Sequence, residues 1–340
     1  MIPEQHHDAV ARALLETFGT SGYEEISKMT KGQTASPVLR VVVGGSPYLL
    51  KIITRNEDPT RHYTSMRAAA DAGVAPRVRY TNVEDRVSIT NFVDAAVPLP
   101  ASEALVRMLA LLRKLHDLPP FARAPFNTTC TFLLNRTPAS DKFPGVAGYL
   151  QRFRASNILP PVECYEFFTR YEELAAVCPY DDGEMVSSHN DLFKPDNILF
   201  DGQRVWLVDW EAAFLNDRYA DLAAVANQVV SNDDEESILL SAYFGAVPTE
   251  YQRARFHLMQ QLSHLFYTIG FLLLGSMGQP IDWRQPVPAF ADFQRRFWSG
   301  EVGLADKDEK VVFGRVNWER VLHNVRQPRY AESLRIVGAR

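Results

Sequence analysis

The chain has 340 residues, 46% hydrophobic and 23% charged, a composition ordinary for a globular protein with one large or two modest folding units. Its net charge of −5 argues against a nucleic-acid binder, which needs a concentrated basic patch, and leaves room for a cationic substrate. The three cysteines, Cys130, Cys164 and Cys178, are odd in number and irregularly spaced, so free thiols in a reducing, cytoplasmic setting fit better than a disulfide frame or zinc site. The first residues lack the basic start and apolar core of a signal peptide. The most apolar run, Leu265 to Leu274, is about half a membrane span and reads as core.

Residues 8 to 18 carry Val10, Ala13, Leu14, Thr17 and Phe18 at helical spacing, ended by Gly19 and Gly22. Strands are predicted at Glu25 to Met29, Val38 to Val43 and Tyr48 to Thr54, with Gly44-Gly45-Ser46-Pro47 as a turn. The loop Thr30 to Ser36 contains Gly32, Gln33 and Thr34. It lacks the Walker pattern; its small residues would let backbone amides approach a phosphate, and a plain turn fits as well. Lys51 stands alone in the apolar run Tyr48 to Ile53, where an edge residue with a solvated head is the ordinary reading. A helix from Pro59 to Ala72 is stopped by Gly73 and Pro76. Strands at Arg77 to Thr81 and Val87 to Phe92 complete a small sheet, and Pro98 and Pro100 mark a boundary near residue 95.

Ser102 can cap a helix carrying Leu105, Met108, Leu109, Leu112 and Leu115, ended by Pro119-Pro120. Another helix is expected around Val162 to Val177. The most informative stretch runs from Ser188-His189-Asn190-Asp191 through Lys194-Pro195-Asp196-Asn197-Ile198-Leu199-Phe200, Asp201-Gly202 and Val205-Trp206-Leu207-Val208 to Asp209-Trp210-Glu211. Apolar runs on both sides of Asp-Gly predict a hairpin, which brings Asp191, Asn197 and Asp209 together. Two carboxylates and an amide carbonyl are hard oxygen ligands suited to Mg²⁺, with one carboxylate left to accept a proton. The bland alternative is a surface hairpin with solvated acids. Later helices are expected from Asn216, from Thr249 to Leu274 and around Val287 to Trp298, followed by a basic, mobile tail.

The Ser188–Glu211 stretch resembles the catalytic loop and metal-binding Asp of the aminoglycoside phosphotransferase and choline kinase superfamily, distant relatives of protein kinases. The choline-kinase side fits best, through its His-Asn-Asp opening and its Asp-aromatic-Glu. The resemblance implies an α+β, bilobal protein-kinase-like fold: an N-terminal nucleotide-binding lobe over 1–95, with an antiparallel sheet and a helix, and a mainly helical catalytic and substrate-binding lobe over 96–340. It implies ATP and Mg²⁺ as cofactors and a small-molecule hydroxyl acceptor, a cationic one among those expected. Asp191 would be the catalytic base, and Asp209 with Asn197 the metal ligands. Lys51 would position phosphates, with Gly32, Gln33 and Thr34 in the nucleotide loop and Asn91, Phe92 and Val93 at the adenine hinge. Asp221 matches the Asp that braces the catalytic loop.

Two departures stand out. Asn197 is six residues after Asp191 rather than five, with Asp196 at the usual spacing; a one-residue bulge at Phe193 or a neighbour would restore the register. His62 takes the place of the helix Glu that pairs with the strand Lys, so Lys51 needs another partner, such as Glu57 or Asp58, and His62 itself reads as a partly exposed helix residue. These departures keep a nucleotide-binding pseudokinase as an alternative. For the acceptor, the segment Ser263-His264-Leu265-Phe266-Tyr267 resembles a choline-kinase helix whose aromatics wall a quaternary ammonium. Tyr267 matches one wall position, Gly270 leaves the next empty unless Phe271 or Trp283 fills it, and Glu211 would face metal-bound water or substrate. A choline- or ethanolamine-like amino-alcohol follows as the expected acceptor, with an aminoglycoside or other metabolite as the alternative. At helical spacing, Phe266, Tyr267 and Phe271 fit a core role equally.

Overall fold

Five strands, β1 (Glu25–Lys28), β2 (Val38–Val43), β3 (Ser46–Ile52), β4 (Val78–Asn82) and β5 (Val87–Asn91), form an antiparallel sheet in the order β1-β2-β3-β5-β4. The structure is a computed structural model that describes residues 1–29, 36–54, 58–95, 99, 101–123, 146–178, 184–230 and 232–339. Gly32, Gln33, Thr34, Glu57, Pro98, Pro100 and Cys130 lie outside the described residues. Gly44 and Gly45, with φ of 59° and 71°, make the β2–β3 turn in a conformation that a Cβ would strain.

Side chains alternate across each strand, so the register separates two faces. Leu39, Val41, Leu50, Ile52, Val87 and Ile89 pack against Val10, Ala13 and Leu14 of helix α1 (His7–Phe18). Val38 opposes Lys51, Lys51 opposes Ser88 and Leu49 opposes Thr90, placing Lys51, Ser88 and Thr90 together on the other face. All three are buried. Helix α2 (Thr60–Asp71) follows β3, and the loop after it accepts a hydrogen bond at Val74 O from Leu207 N at 3.0 Å.

The C-terminal part is helical: α3 (Ala101–His116), α4 (Val146–Ala155), α5 (Pro161–Val177), α6 (Arg218–Val229), α7 (Asp233–Phe244), α8 (Glu250–Ser276), α9 (Phe290–Trp298), α10 (Lys307–Val325) and α11 (Pro328–Gly338). Two small ribbons interrupt it, β6 (Met185–Ser188) with β9 (Phe214–Asp217), and β7 (Ile198–Phe200) with β8 (Val205–Leu207). The β7–β8 hairpin and the α2, β4 and β5 elements lie within two residues of their expected bounds.

Helix α8 is the axis of this part. Thr249 and Gln252 form a capping box at its start, and Leu258, Leu262, Leu265, Ile269 and Leu272 are buried along it. Helix α10 lies against it at close range: a Cβ at Gly275 would stand 2.7 Å from Lys307 O, and one at Gly314 would stand 2.9 Å from the Leu272 side chain. The chain after Trp298 is therefore not the mobile basic tail expected from its charge. Asp306 and Glu309 form a second capping box, and Phe313, Val316, Trp318 and Val321 turn inward at helical spacing. No helix among the described residues is long and apolar enough to cross a membrane.

Candidate active site

The loop between β6 and β7 is held from behind by Asp221, a fully buried carboxylate on α6. It accepts the His189 and Asn190 backbone N–H groups at 2.8 Å each, and His116 Nε2 lies 3.3 Å away. Burial disfavours its charge, but the His116 hydrogen bond and the other groups facing it hold the Asp221 carboxyl below the usual range. His189 packs against buried Trp210, the ring planes tilted by 60°, and donates from Nε2 to Val208 O at 2.9 Å. Asn190, at φ 65°, donates to Ala212 O at 3.0 Å and accepts from Asn216 Nδ2 at 2.6 Å. Gln228 closes the far side by donating to Leu192 O at 2.5 Å. The loop is thus tied to both strands of the β6–β9 ribbon and to α6.

Within this frame Asn197 Nδ2 donates to Asp191 O at 2.8 Å and to Asp191 Oδ2 at 2.9 Å. Asn197 is buried and Asp196 is exposed. Val208 N donates to Asn197 O at 3.0 Å, so the hairpin delivers Asp209 beside the same group. Asp209 sits in the left-handed region at φ 65°, a strained conformation for a non-glycine residue that Asp tolerates better than most.

Charge is concentrated here. Lys51 Nζ lies 2.8 Å from Asp209 Oδ1 and 2.8 Å from Glu211 Oε1, and Lys194 Nζ lies 2.8 Å from Asp191 Oδ2. Burial opposes the Asp209 charge, but Lys51 and Lys194 hold its carboxyl at about 2. Burial raises Asp191 above the ordinary carboxylate value, with Lys194 opposing and Asp209 reinforcing the shift. Burial works against the Lys51 ammonium, but Asp209 and Glu211 outweigh it and raise its pKa.

Several expectations change. Lys51 pairs with Asp209 and Glu211; of the two partners expected for it, Asp58 accepts from Thr60 at the start of α2 and Glu57 lies outside the described residues. His62 is not partly exposed. It is 6% accessible, and burial, together with the field of Lys51, depresses its pKa to about 3. Glu211 faces Lys51. Tyr267 and Phe271 are 6% and 8% exposed and pack with Phe193, Phe293, Phe297 and Phe313, in the core arrangement weighed above. Trp283 lies under the Arg315 guanidinium and donates to Ile158 O at 2.9 Å, whereas a Cβ at Gly270 would meet nothing within 4 Å. Asn91, Phe92 and Val93 line a cavity of about 410 Å³ with Arg77, Asp94 and Trp206. Lys51, Asp191 and Asp209 are not among its lining residues.

The sequence profile of the phosphotransferase enzyme family matches residues 25–257. The chain belongs to that family. It is an ATP-dependent phosphotransferase, a small-molecule kinase. The fold agrees with those of solved relatives. A choline/ethanolamine kinase family protein from Mesorhizobium loti superposes with a TM-score of 0.65 at 18% identity, over 98% of this chain and 100% of that one. A choline kinase from Streptococcus pneumoniae gives 0.56 at 13%, over 87% and 99%. A spectinomycin phosphotransferase in complex with ADP and spectinomycin gives 0.54 at 13%, over 91% and 98%. No curated protein matches the sequence.

Sequence reasoning missed two members of this candidate site. Lys194 carried a signal, a lone cation between Asp191 and Asn197 in an otherwise polar-acidic loop. Arg61 carried none: its guanidinium donates to Glu211 O at 2.8 Å and to Ala213 O, a contact visible only once α2 lies over the turn Trp210–Ala212.

Proposed function

We propose that this kinase transfers the γ-phosphoryl of ATP to the hydroxyl of a small amino-alcohol of the choline or ethanolamine kind. The observation that carries the chemistry is the junction of Asp191 with Asn197 and Lys194, within one cluster with Asp209. Asp191, as base, takes the acceptor proton as the hydroxyl oxygen bonds to the γ-phosphorus and the bond to the β-phosphate oxygen breaks. Burial that raises its pKa favours that role. Lys51 and Lys194 place positive charge where phosphate oxygens gather, and positioning with charge neutralisation is most of what phosphoryl transfer requires.

Asp209 and Asn197 fit Mg²⁺. Asn197 turns its Nδ2 toward Asp191, leaving its carbonyl oxygen as a donor, and Asp209 is held ionised. No group of three or more His, Cys, Asp or Glu side chains among the described residues forms a metal site, which suits an ion held by one or two carboxylates plus water and phosphate oxygens. When bound, Mg²⁺ would offset phosphate charge. Adenine would meet the chain at Asn91, Phe92 and Val93. Asn91 N already donates to Arg77 O at 2.9 Å, so Phe92 and Val93, beyond the last ladder pair of Tyr48 with Asn91, are the open positions. The phosphates would extend toward Gly32, Gln33 and Thr34. A division near residue 95 would give a nucleotide-holding unit, 1–95, and a unit carrying Asp191 and Asp209, 96–340.

One feature supports a cationic acceptor: the carboxylates of Asp191, Asp209 and Glu211 share one region with Lys51 and Lys194. ADP release with choline, ethanolamine, an aminoglycoside, thiamine and a sugar tests the reading. Turnover above the ATPase background is expected with the first two. Turnover with another acceptor alone would replace the amino-alcohol and leave the kinase chemistry standing.

A further inference from the structure

We propose that Glu211 is the residue that positions Lys51 for the nucleotide, doing from the turn after Asp209 what no acid on α2 does in this chain. The inference rests on the reading of Lys51 as a phosphate-binding lysine. Lys51 is 9% exposed, and a buried ammonium must be paired to remain charged there. It pairs with Asp209 Oδ1 and Glu211 Oε1, each at 2.8 Å. Position 62 on α2 faces the same region, but histidine supplies no negative charge in either protonation state. Asp58 is engaged by Thr60 N and Oγ1, at 2.9 and 2.6 Å.

The two partners of Lys51 are not equivalent. Asp209 is the carboxylate fit to meet Mg²⁺, and a metal ion there takes up charge that otherwise faces the lysine. Glu211 then remains as the anion committed to Lys51. Its backbone is fixed accordingly. Trp210 is 1% exposed and donates from Nε1 to Leu207 O at 3.1 Å, and Arg61 of α2 clamps the carbonyls of Glu211 and Ala213. Helix α2 therefore still sets the lysine, through the carbonyl of Glu211 rather than a carboxylate of its own.

A merely structural ion pair would not distinguish metal-bound from metal-free nucleotide, and that difference supplies the test. Affinity for ATP is measured by calorimetry in EDTA and in Mg²⁺ for wild type, Glu211→Gln, Lys51→Ala and their double variant, with thermal melts as the folding control. Glu211→Gln is expected to weaken binding about tenfold in Mg²⁺ and distinctly less in EDTA, where Asp209 still holds Lys51. The double variant should bind no more weakly than Lys51→Ala, the coupling expected of two residues acting as one. Adding His62→Glu to Glu211→Gln should recover affinity, by placing an acid on α2. Glu211→Asp, which keeps the charge but shortens the reach, serves if Glu211→Gln does not fold, and should show a smaller loss with the same metal dependence. Additive losses, or equal losses in EDTA and Mg²⁺, would overturn the proposal while leaving the kinase reading intact. If Lys51→Ala binds ATP in Mg²⁺ like wild type, the phosphate role of Lys51 falls and the role of Glu211 falls with it.

Discussion

Asn197 donates twice to Asp191, to its carbonyl at 2.8 Å and to its Oδ2 at 2.9 Å. A single amide thereby fixes both the backbone and the carboxylate of the proposed base. Removing it should release Asp191 as well as remove the proposed metal ligand, whereas exposed Asp196 makes no comparable contact among the described residues. Asn197→Ala is expected to lower turnover at least about a hundredfold, on the scale of a lost acid or base, and Asp191→Ala similarly, with ATP binding retained in the latter. Asp196→Ala should turn over like wild type. A damaging Asp196→Ala beside a silent Asn197→Ala would show the six-residue register to be misassigned.

Lys194 pulls the Asp191 carboxyl down against the upward push of burial. Without Lys194 the ionised form of Asp191 is less favoured, so its pKa rises and the base form is lost at a higher pH. Lys194→Ala should therefore shift the acidic limb of the kcat/KM profile toward higher pH, besides lowering the plateau. An unmoved limb would mean that Asp191 does not set it.

Much of this site was legible because its chemistry is local in sequence. Asp191, Asn197 and Asp209 flank one hairpin, and Asp-Gly with alternating apolar residues announces a hairpin. The partners of Lys51 were not legible, since they lie 158 and 160 residues away and depend on how the sheet docks on the helices. His62 looked exposed because its helix is polar. Its burial comes from α2 being covered by the sheet on one side and by the Trp210–Ala212 turn on the other. The last two helices were hidden behind six arginines after residue 310, although Asp306 and Glu309 carried a capping signal. Charge on the outer face was read as absence of an inner one.

Buried neutral histidines make stability pH-dependent. Burial holds His62 and His257 at about 3 and His264 at about 4, below the usual 6.5. Between those values and 6.5 the unfolded chain binds protons that the folded chain refuses. Stability therefore falls as pH falls through that window, by up to about 1.4 kcal/mol per pH unit for each histidine. Asp191, raised by burial, works in the opposite direction near the lower end. His257 Nε2 is buried with no hydrogen-bond partner among the described residues, so His257→Leu should match or exceed wild-type stability at pH 7 and lose about one histidine's worth of slope. Urea unfolding at pH 7, 6 and 5 measures this. A slope identical to wild type would mean that His257 is protonated in the folded state.

Phe193 carries the last prediction, because it stands in the loop between Asp191 and Asn197. Its ring is 8% exposed and lies 4.7 Å from Tyr267, 5.6 Å from Phe271 and 5.9 Å from Phe313, nearly parallel to the last at 23°. Lys194 Nζ stands 5.4 Å over the same ring, so Phe193 anchors the loop to α8 and α10 and carries the cation that meets Asp191. Phe193→Ala should cost about 3 kcal/mol or more of stability, as for other buried aromatics. In conditions where the variant remains folded, it should also lower kcat. Phe193→Leu, which keeps an apolar anchor, should recover most of both. If folded Phe193→Ala turns over at the wild-type rate, the aromatic cluster supports the fold without setting the position of Asp191.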